Sequence, residues 1–163
     1  MENFHSRLTE EVKLKFNVEK QRLPAHFTIK APFERDRIDD IEKLTEEFVS
    51  SNYKEDIRIK GFDHFRDNVI FMDIIASKEA LDLVYKYIDV LKSVPDLEWK
   101  DNEKGEKKLH LTVATRRIRD KYKEIWEYVN HYSPDFNTYF DNISILYWVN
   151  GDWKVYKEYL LNN

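Results

Sequence analysis

The sequence predicts an α+β fold built from two similar halves, and three observations predict it. Apolar residues recur at helical spacing in four segments. Short runs rich in β-branched and aromatic residues lie between those segments. One short pattern, a histidine and a threonine separated by a single apolar residue, occurs once in each half, in "AHFTIK" (25–30) and "LHLTVAT" (109–115).

Residues 3–16 read as a helix, with Phe4, Leu8 and Val12 near the helical period. "AHFTIK" reads as a strand ended by Pro32, which has no N–H to offer a ladder. Residues 37–51 set Ile38, Ile41, Leu44 and Phe48 on one face of an amphipathic helix. "DIRIKGF" and "NVIFMDIIA" are two strands joined by a polar turn at Asp67 and Asn68. Ser77 is placed to cap a helix reaching about Val94, with Leu81, Val84, Ile88 and Leu91 as its buried stripe. The charged, glycine-containing stretch 101–108 reads as a mobile surface loop. "LHLTVAT" follows as a strand, and then a helix over 120–132. Asn150-Gly151, between "NISILYWV" and "DWKVYKEYLL", is the preferred two-residue hairpin turn. No linker rich in Pro, Gly or Ser separates the halves, so residues 1–163 are expected to form a single domain of two lobes.

Composition narrows the chemistry. Hydrophobic residues make up 42% of the chain and aromatics 15%, enough for a buried core. A formal charge of −4 argues against a broadly basic, duplex-binding surface, and a small anion in a locally basic site stays open. Cysteine is absent, which excludes disulfides, thiolate metal sites and cysteine nucleophiles. Gly61, Gly105 and Gly151 are too scattered for a phosphate-cradling loop, so no ATP-driven chemistry of that kind is encoded. The opening segment is charged and lacks an apolar h-region, and no apolar run has the length to cross a bilayer. The expectation is a soluble, cytoplasmic protein with no membrane partner.

Residues two apart on a strand leave the same face, so His26 would stand beside Thr28, and His110 beside Thr112. A lone histidine on a strand is usually structural. Here the same pair arises twice in a chain with only five histidines. An imidazole can accept or donate a proton near neutral pH, and two of them flanking a phosphodiester form a sufficient acid–base pair. Threonine hydroxyls beside them can donate to the non-bridging oxygens, where charge builds up in the transition state. No metal or cofactor is expected, because two histidines fall short of the three or four ligands a metal site needs. Continuing the alternation sets Lys30 in phase with the first pair and Arg116 with the second, two cations for a phosphate. His5 and His131 read as solvated helical residues, and His64 as a strand-end residue.

The two motifs, the "KAPF" after the first of them and the closing "YWVNGDWKVYKEY" resemble the 2H phosphoesterase superfamily. That group includes the bacterial 2′-5′ RNA ligases, better described as RNA 2′,3′-cyclic phosphodiesterases. The resemblance runs from about residue 20 onward. It implies two pseudo-symmetric lobes with antiparallel sheets and a central cleft across which the motifs face each other. It also implies that His26 and His110 are catalytic and that Thr28 and Thr112 bind the substrate phosphate. Members of the group open with a strand before the first helix, whereas this sequence reads as helix from its first residues.

The expected activity is metal-independent hydrolysis of a 2′,3′-cyclic phosphate or a 2′-5′ linkage. The expected partner is an RNA end or a small nucleotide bearing a cyclic phosphate, and a monomer is expected. Phe33, just past the first motif, and Tyr147, near the hairpin, are candidates to stack a base. The alternative is a non-catalytic RNA- or nucleotide-binding module. "KGFDHF" begins like the aromatic strand of an RNA-recognition module and departs from it at Asp63, His64 and Phe65. A structural member of the superfamily would be marked by loss of a motif residue, and all four are present.

Overall fold

The structure is a computed structural model and describes residues 1–19, 23–103 and 105–163. In chain order its elements are α1 (Glu2–Phe16), α2 (Asp39–Ser50), β1 (Glu55–Phe65), β2 (Val69–Ala76), α3 (Lys78–Lys92), β3 (His110–Thr115), α4 (Tyr122–Val129), β4 (Asp135–Phe140), β5 (Asn142–Val149) and β6 (Asp152–Leu160). The mixture is α+β, as the sequence predicts. The chain divides into two compact units, residues 1–27, 58–75 and 109–138 in the first and 28–57, 76–108 and 139–163 in the second.

The first unit is organised by a four-stranded sheet in the order β3-β2-β1-β4. The first three residues of β1 and the last residues of β2 and β4 belong to the second unit. α1 packs against β3 and α4. Its buried residues His5, Leu8, Thr9, Val12 and Phe16 fall at the three- and four-residue steps that keep one helical face inward. Asn17 then ends the helix in the left-handed conformation, which asparagine tolerates. Ile59, Ile70, Met72, Val113, Ile125 and Val129 are almost wholly buried. Each such aliphatic side chain stabilises the fold by about 1.5–3 kcal/mol.

In the second unit α2 packs on α3 and on the β5–β6 hairpin. The buried Thr45 hydroxyl donates to the Ile41 carbonyl at 2.6 Å, and its oxygen lies 2.7 Å from the Tyr87 hydroxyl. Burial pushes that phenol up to about 12. Ser77 caps α3 as expected, its Oγ accepting from the Ala80 amide at 3.0 Å. The inner stripe of α3 uses Leu83 and Tyr87 with Val84, Ile88 and Leu91, in place of the expected Leu81, which is half-buried. Asn150 and Gly151 both have positive φ, 51° and 78°, as a two-residue turn that matches strand twist requires.

Three expectations need correction. Residues 23–38 contain no strand, so "AHFTIK" does not join a ladder among the described residues. Pro24 and Pro32 bracket that segment, and within it His26 Nδ1 lies on the Pro24 carbonyl and the Lys30 ammonium donates to the Ala31 carbonyl. β4 is absent from the sequence reading because "DFNTYF" opens with Asp135 and Asn137, poor strand formers that tertiary pairing overrides. The stretch 101–108 is not simply a solvated loop, since Glu103 within it is buried. Lys104 lies outside the described residues.

Candidate active site

The second motif sits on β3, at the edge of the sheet. Its ladder with β2 pairs His110 with Asp73, Leu111 with Met72 and Thr112 with Phe71, and then slips so that Ala114 pairs with Ile70. Val113 is therefore the extra residue of a β-bulge. His110 and Thr112 are half-exposed, while Leu111 and Val113 are buried on the other face. The alternation that unites His110 with Thr112 is thus realised. The imidazole of His110 rests on an aromatic floor, 4.9 Å from the Phe71 ring and 5.0 Å from the Phe65 ring, centroid to centroid.

The bulge reverses the alternation beyond Val113. Ala114 turns inward and Thr115 is half-exposed in its place. β3 ends there, and Arg116 and Arg117 both take the left-handed conformation, φ 58° and 57°. A strand phase cannot be extended through them, so Arg116 does not share the motif face by alternation. Its guanidinium is exposed and lies 3.7 Å from Glu19.

In the first motif His26 is half-buried, and its Nδ1 lies 2.8 Å from the Pro24 carbonyl. A carbonyl only accepts, so Nδ1 carries the proton and Nε2 of the neutral ring holds the free lone pair. The boundary between the two units falls between Phe27 and Thr28, which places His26, His110 and Thr112 in the first unit and the exposed Thr28 in the second.

His5 is a site residue that the sequence reading missed. It is only 4% exposed, and its Nε2–H donates to the carbonyl of Thr112 at 2.8 Å. Burial pushes the imidazole below its usual value, the Thr112 carbonyl draws it back up, the neighbouring His26 pushes it down and Glu2 raises it. One buried ring is therefore bonded to the second motif and feels the charge of the first. The signal was present, because His5 is in step with Leu8, Thr9 and Val12. His131 is exposed, as expected. His64 closes on α4, its ring 4.9 Å from Trp126 and 5.4 Å from Tyr122.

His5 should make stability depend on pH. The unfolded chain protonates this histidine near its ordinary value, while the folded chain resists until a lower pH. Its contribution is complete above about pH 6.5 and declines as the pH falls from there toward the lowered native value. Melting temperatures between pH 7.5 and 5.5 should fall more steeply for the wild type than for His5→Gln, which keeps an N–H donor and cannot titrate. Identical slopes would remove His5 as the cause.

The family model described as the 2′-5′ RNA ligase superfamily matches residues 2–152. The chain belongs to this superfamily. No curated protein matches the sequence.

As a 2H phosphoesterase relative, the chain is set among proteins that act on RNA and nucleotide phosphodiesters. Against that background Lys30 calls for a correction. Its ammonium is buried with the Glu103 carboxylate, at 3.1 and 3.0 Å from the two oxygens, with side chains 7% and 3% exposed. The Trp99 ring lies 4.8 Å away and the Phe33 ring 5.8 Å. Glu103 also accepts from the amides of Ala31 and Lys100. Burial raises its pKa, and the two amides and Lys30 outweigh that, leaving it below the usual value. Lys30 is therefore spent on Glu103 and is not an open cation for a phosphate. Phe33 is half-buried beside it, whereas Tyr147 is 45% exposed. Among the described residues no three of His, Asp and Glu are grouped to hold a metal ion, and no helix is long and apolar enough to cross a membrane.

Proposed function

We propose that this superfamily member is a metal-independent phosphoesterase that opens 2′,3′-cyclic phosphates, or cleaves 2′-5′ linkages, of RNA or nucleotides. The observation that carries the reading is the buried His5, bonded to the backbone of one His-x-Thr motif and within electrostatic reach of the other. Catalysis requires one imidazole able to accept a proton and another able to give one. His26 has its Nδ1 occupied by the Pro24 carbonyl, which leaves Nε2 as the nitrogen that exchanges a proton. His110 is the second proton-transfer group.

The reaction balances simply. A water oxygen attacks phosphorus as its proton passes to one imidazole, the bond from phosphorus to one ribose oxygen breaks, and the other imidazole protonates that oxygen. Thr28 and Thr112 donate to the non-bridging oxygens, whose charge grows in the transition state. Arg116, exposed and held only loosely by Glu19, attracts the anion. His5 stays neutral because it is buried, so it adds no like charge beside His26. A base of the substrate stacks on Tyr147, with Phe33 as the second candidate ring.

Hydrolysis of a 2′,3′-cyclic mononucleotide and of cyclic-phosphate-ended RNA should persist in EDTA and follow a bell-shaped pH dependence. Loss of activity with chelator, restored by Mg²⁺ or Mn²⁺, overturns the mechanism. Binding of either substrate with no turnover at any pH favours the non-catalytic alternative.

A further inference from the structure

Positive charge is concentrated in one stretch of a chain whose formal charge is −4. Residues 116–123 hold Arg116, Arg117, Arg119, Lys121 and Lys123 against Asp120 as the sole acid. All of these cations are exposed. Within the first unit, this stretch is tied to the end of β1 and to the turn that follows it. Val69 pairs with Thr115, so the β1–β2 turn (66–68) and Arg116 leave the same end of the sheet. The Arg119 guanidinium meets the Asp67 carboxylate at 3.0 Å and donates to the Asn68 side chain at 3.3 Å. The His64 ring rests on Tyr122 and Trp126, whose own rings are nearly parallel, 6.3 Å apart at 13°. Arg66, exposed and left-handed at φ 52°, therefore joins the same basic surface. Arg116 and Arg119 have carboxylate neighbours in Glu19 and Asp67. Among the described residues, Arg66, Arg117, Lys121 and Lys123 have none at ion-pair distance.

We propose that Arg66, Arg117, Lys121 and Lys123, bordered by the rings of His64, Tyr122 and Trp126, form a docking surface for single-stranded RNA outside the two motifs. Clustered cations repel one another, and a row of phosphates relieves that repulsion while releasing its own counterions. The rings select the kind of polyanion, because aromatic side chains beside cations stack the unpaired bases of a single strand. The Nδ1–H of His64 donates to the Arg66 carbonyl at 2.7 Å, which leaves Nε2 of the exposed neutral ring to accept from a ribose hydroxyl or a base N–H. A lipid surface would call for projecting apolar side chains. Of the exposed large hydrophobics only Phe65 belongs to these segments, and its ring lies on Phe71 and His110. From His110 to Thr115, β3 advances about 16 Å at the usual strand rise. A mononucleotide at His110 leaves the surface empty, whereas a strand of several nucleotides reaches both. That the docked strand is also the substrate rests on the phosphoesterase reading, whereas the surface itself does not.

Fluorescence anisotropy with a 3′-5′-linked oligouridine of about ten nucleotides, an ordinary site size for a single strand, tests the surface without turnover. The logarithm of the wild-type affinity should fall with the logarithm of salt concentration, by about 0.7 for each phosphate contact. Arg66 and Arg117 stand on left-handed backbone, which asparagine tolerates, so the variants are Arg66→Asn, Arg117→Asn and Lys121→Gln. Each should weaken binding and flatten the salt slope by about one contact, and the three together should cost on the order of tenfold. Lys78→Gln and Lys86→Gln, exposed on α3, should change neither quantity. An abasic strand of the same length should bind more weakly at the same slope, since it keeps the phosphates and lacks the stacking bases. Full affinity in the folded triple variant, equal losses in the α3 controls, or equal affinity for the abasic strand overturns the proposal. Binding to phosphatidylserine vesicles through these cations, with none to RNA, overturns it as well. If the triple variant does not fold, the salt slope of Lys121→Gln decides. In turnover, the triple variant should raise KM for RNA ending in a 2′,3′-cyclic phosphate on the order of tenfold and leave hydrolysis of a 2′,3′-cyclic mononucleotide at the wild-type level. Equal effects on both substrates would place the cations at the scissile phosphate and overturn a separate surface. Absence of turnover in the wild type removes the phosphoesterase reading, and the anisotropy result then judges the surface alone.

Discussion

Replacing His26 or His110 by alanine is expected to lower kcat on a 2′,3′-cyclic phosphate by about 10²–10⁴-fold, the usual worth of one positioned general acid or base. The two losses should differ in their pH signature. A base must be deprotonated to work, so removing the imidazole that serves as base should abolish the acid limb of the profile. An acid must be protonated, so removing the other should abolish the alkaline limb, and the limb lost in each variant assigns the two roles. Thr28→Val and Thr112→Val should each cost less, since a single neutral donor to a phosphate oxygen is lost while the proton transfers survive. The double histidine variant should be little worse than the weaker single one, because groups that act in one concerted proton relay are not additive. Four equal losses in proteins that remain folded would mean that the histidines bind the phosphate and transfer no proton. Steady-state kinetics across pH 5–9, with melting temperatures of each variant as the folding control, decide between these outcomes.

The helices, the β1–β2 and β5–β6 pairings and β3 were legible in the sequence because each rests on local signals. A cap at Ser77, a turn at Asn150-Gly151 and apolar spacing on α2 and α3 act within a few residues of chain. β4 and the non-strand character of residues 23–38 depend on which backbones meet in space, and no local preference encodes that. The site divides along the same line. The pairing of His110 with Thr112 on one face follows from alternation alone and is present in β3. The phase drawn through to Arg116 fails because a bulge at Val113 and two left-handed residues interrupt the alternation, and a bulge leaves no mark in apolar patterning. Lys30 was in phase by counting, yet its charge is claimed by a carboxylate 73 positions further along the chain.

That buried Glu103 carboxylate is the source of the second large effect. Glu103→Ala is expected to destabilise the protein by about 3–5 kcal/mol, far beyond the few tenths typical of a surface glutamate. Two costs combine. The Lys30 ammonium stays buried, 7% exposed, without the charge that compensates it. The amides of Ala31 and Lys100 lose their acceptor as well. Glu103→Gln should cost less than Glu103→Ala, since the amide oxygen can still accept from one or both backbone groups. Lys30→Met combined with Glu103→Gln should destabilise by less than the sum of the two single changes, because the double variant leaves no buried charge unpaired. Denaturant unfolding of the wild type and these variants measures all of this directly. The loss in Glu103→Ala should also be nearly the same at low and high ionic strength, since salt screens exposed pairs and hardly reaches buried ones. A Glu103→Ala variant within about 0.5 kcal/mol of the wild type would return residues 101–108 to the status of a solvated loop. It would also free Lys30 to act on the phosphate that its position after Thr28 first suggested.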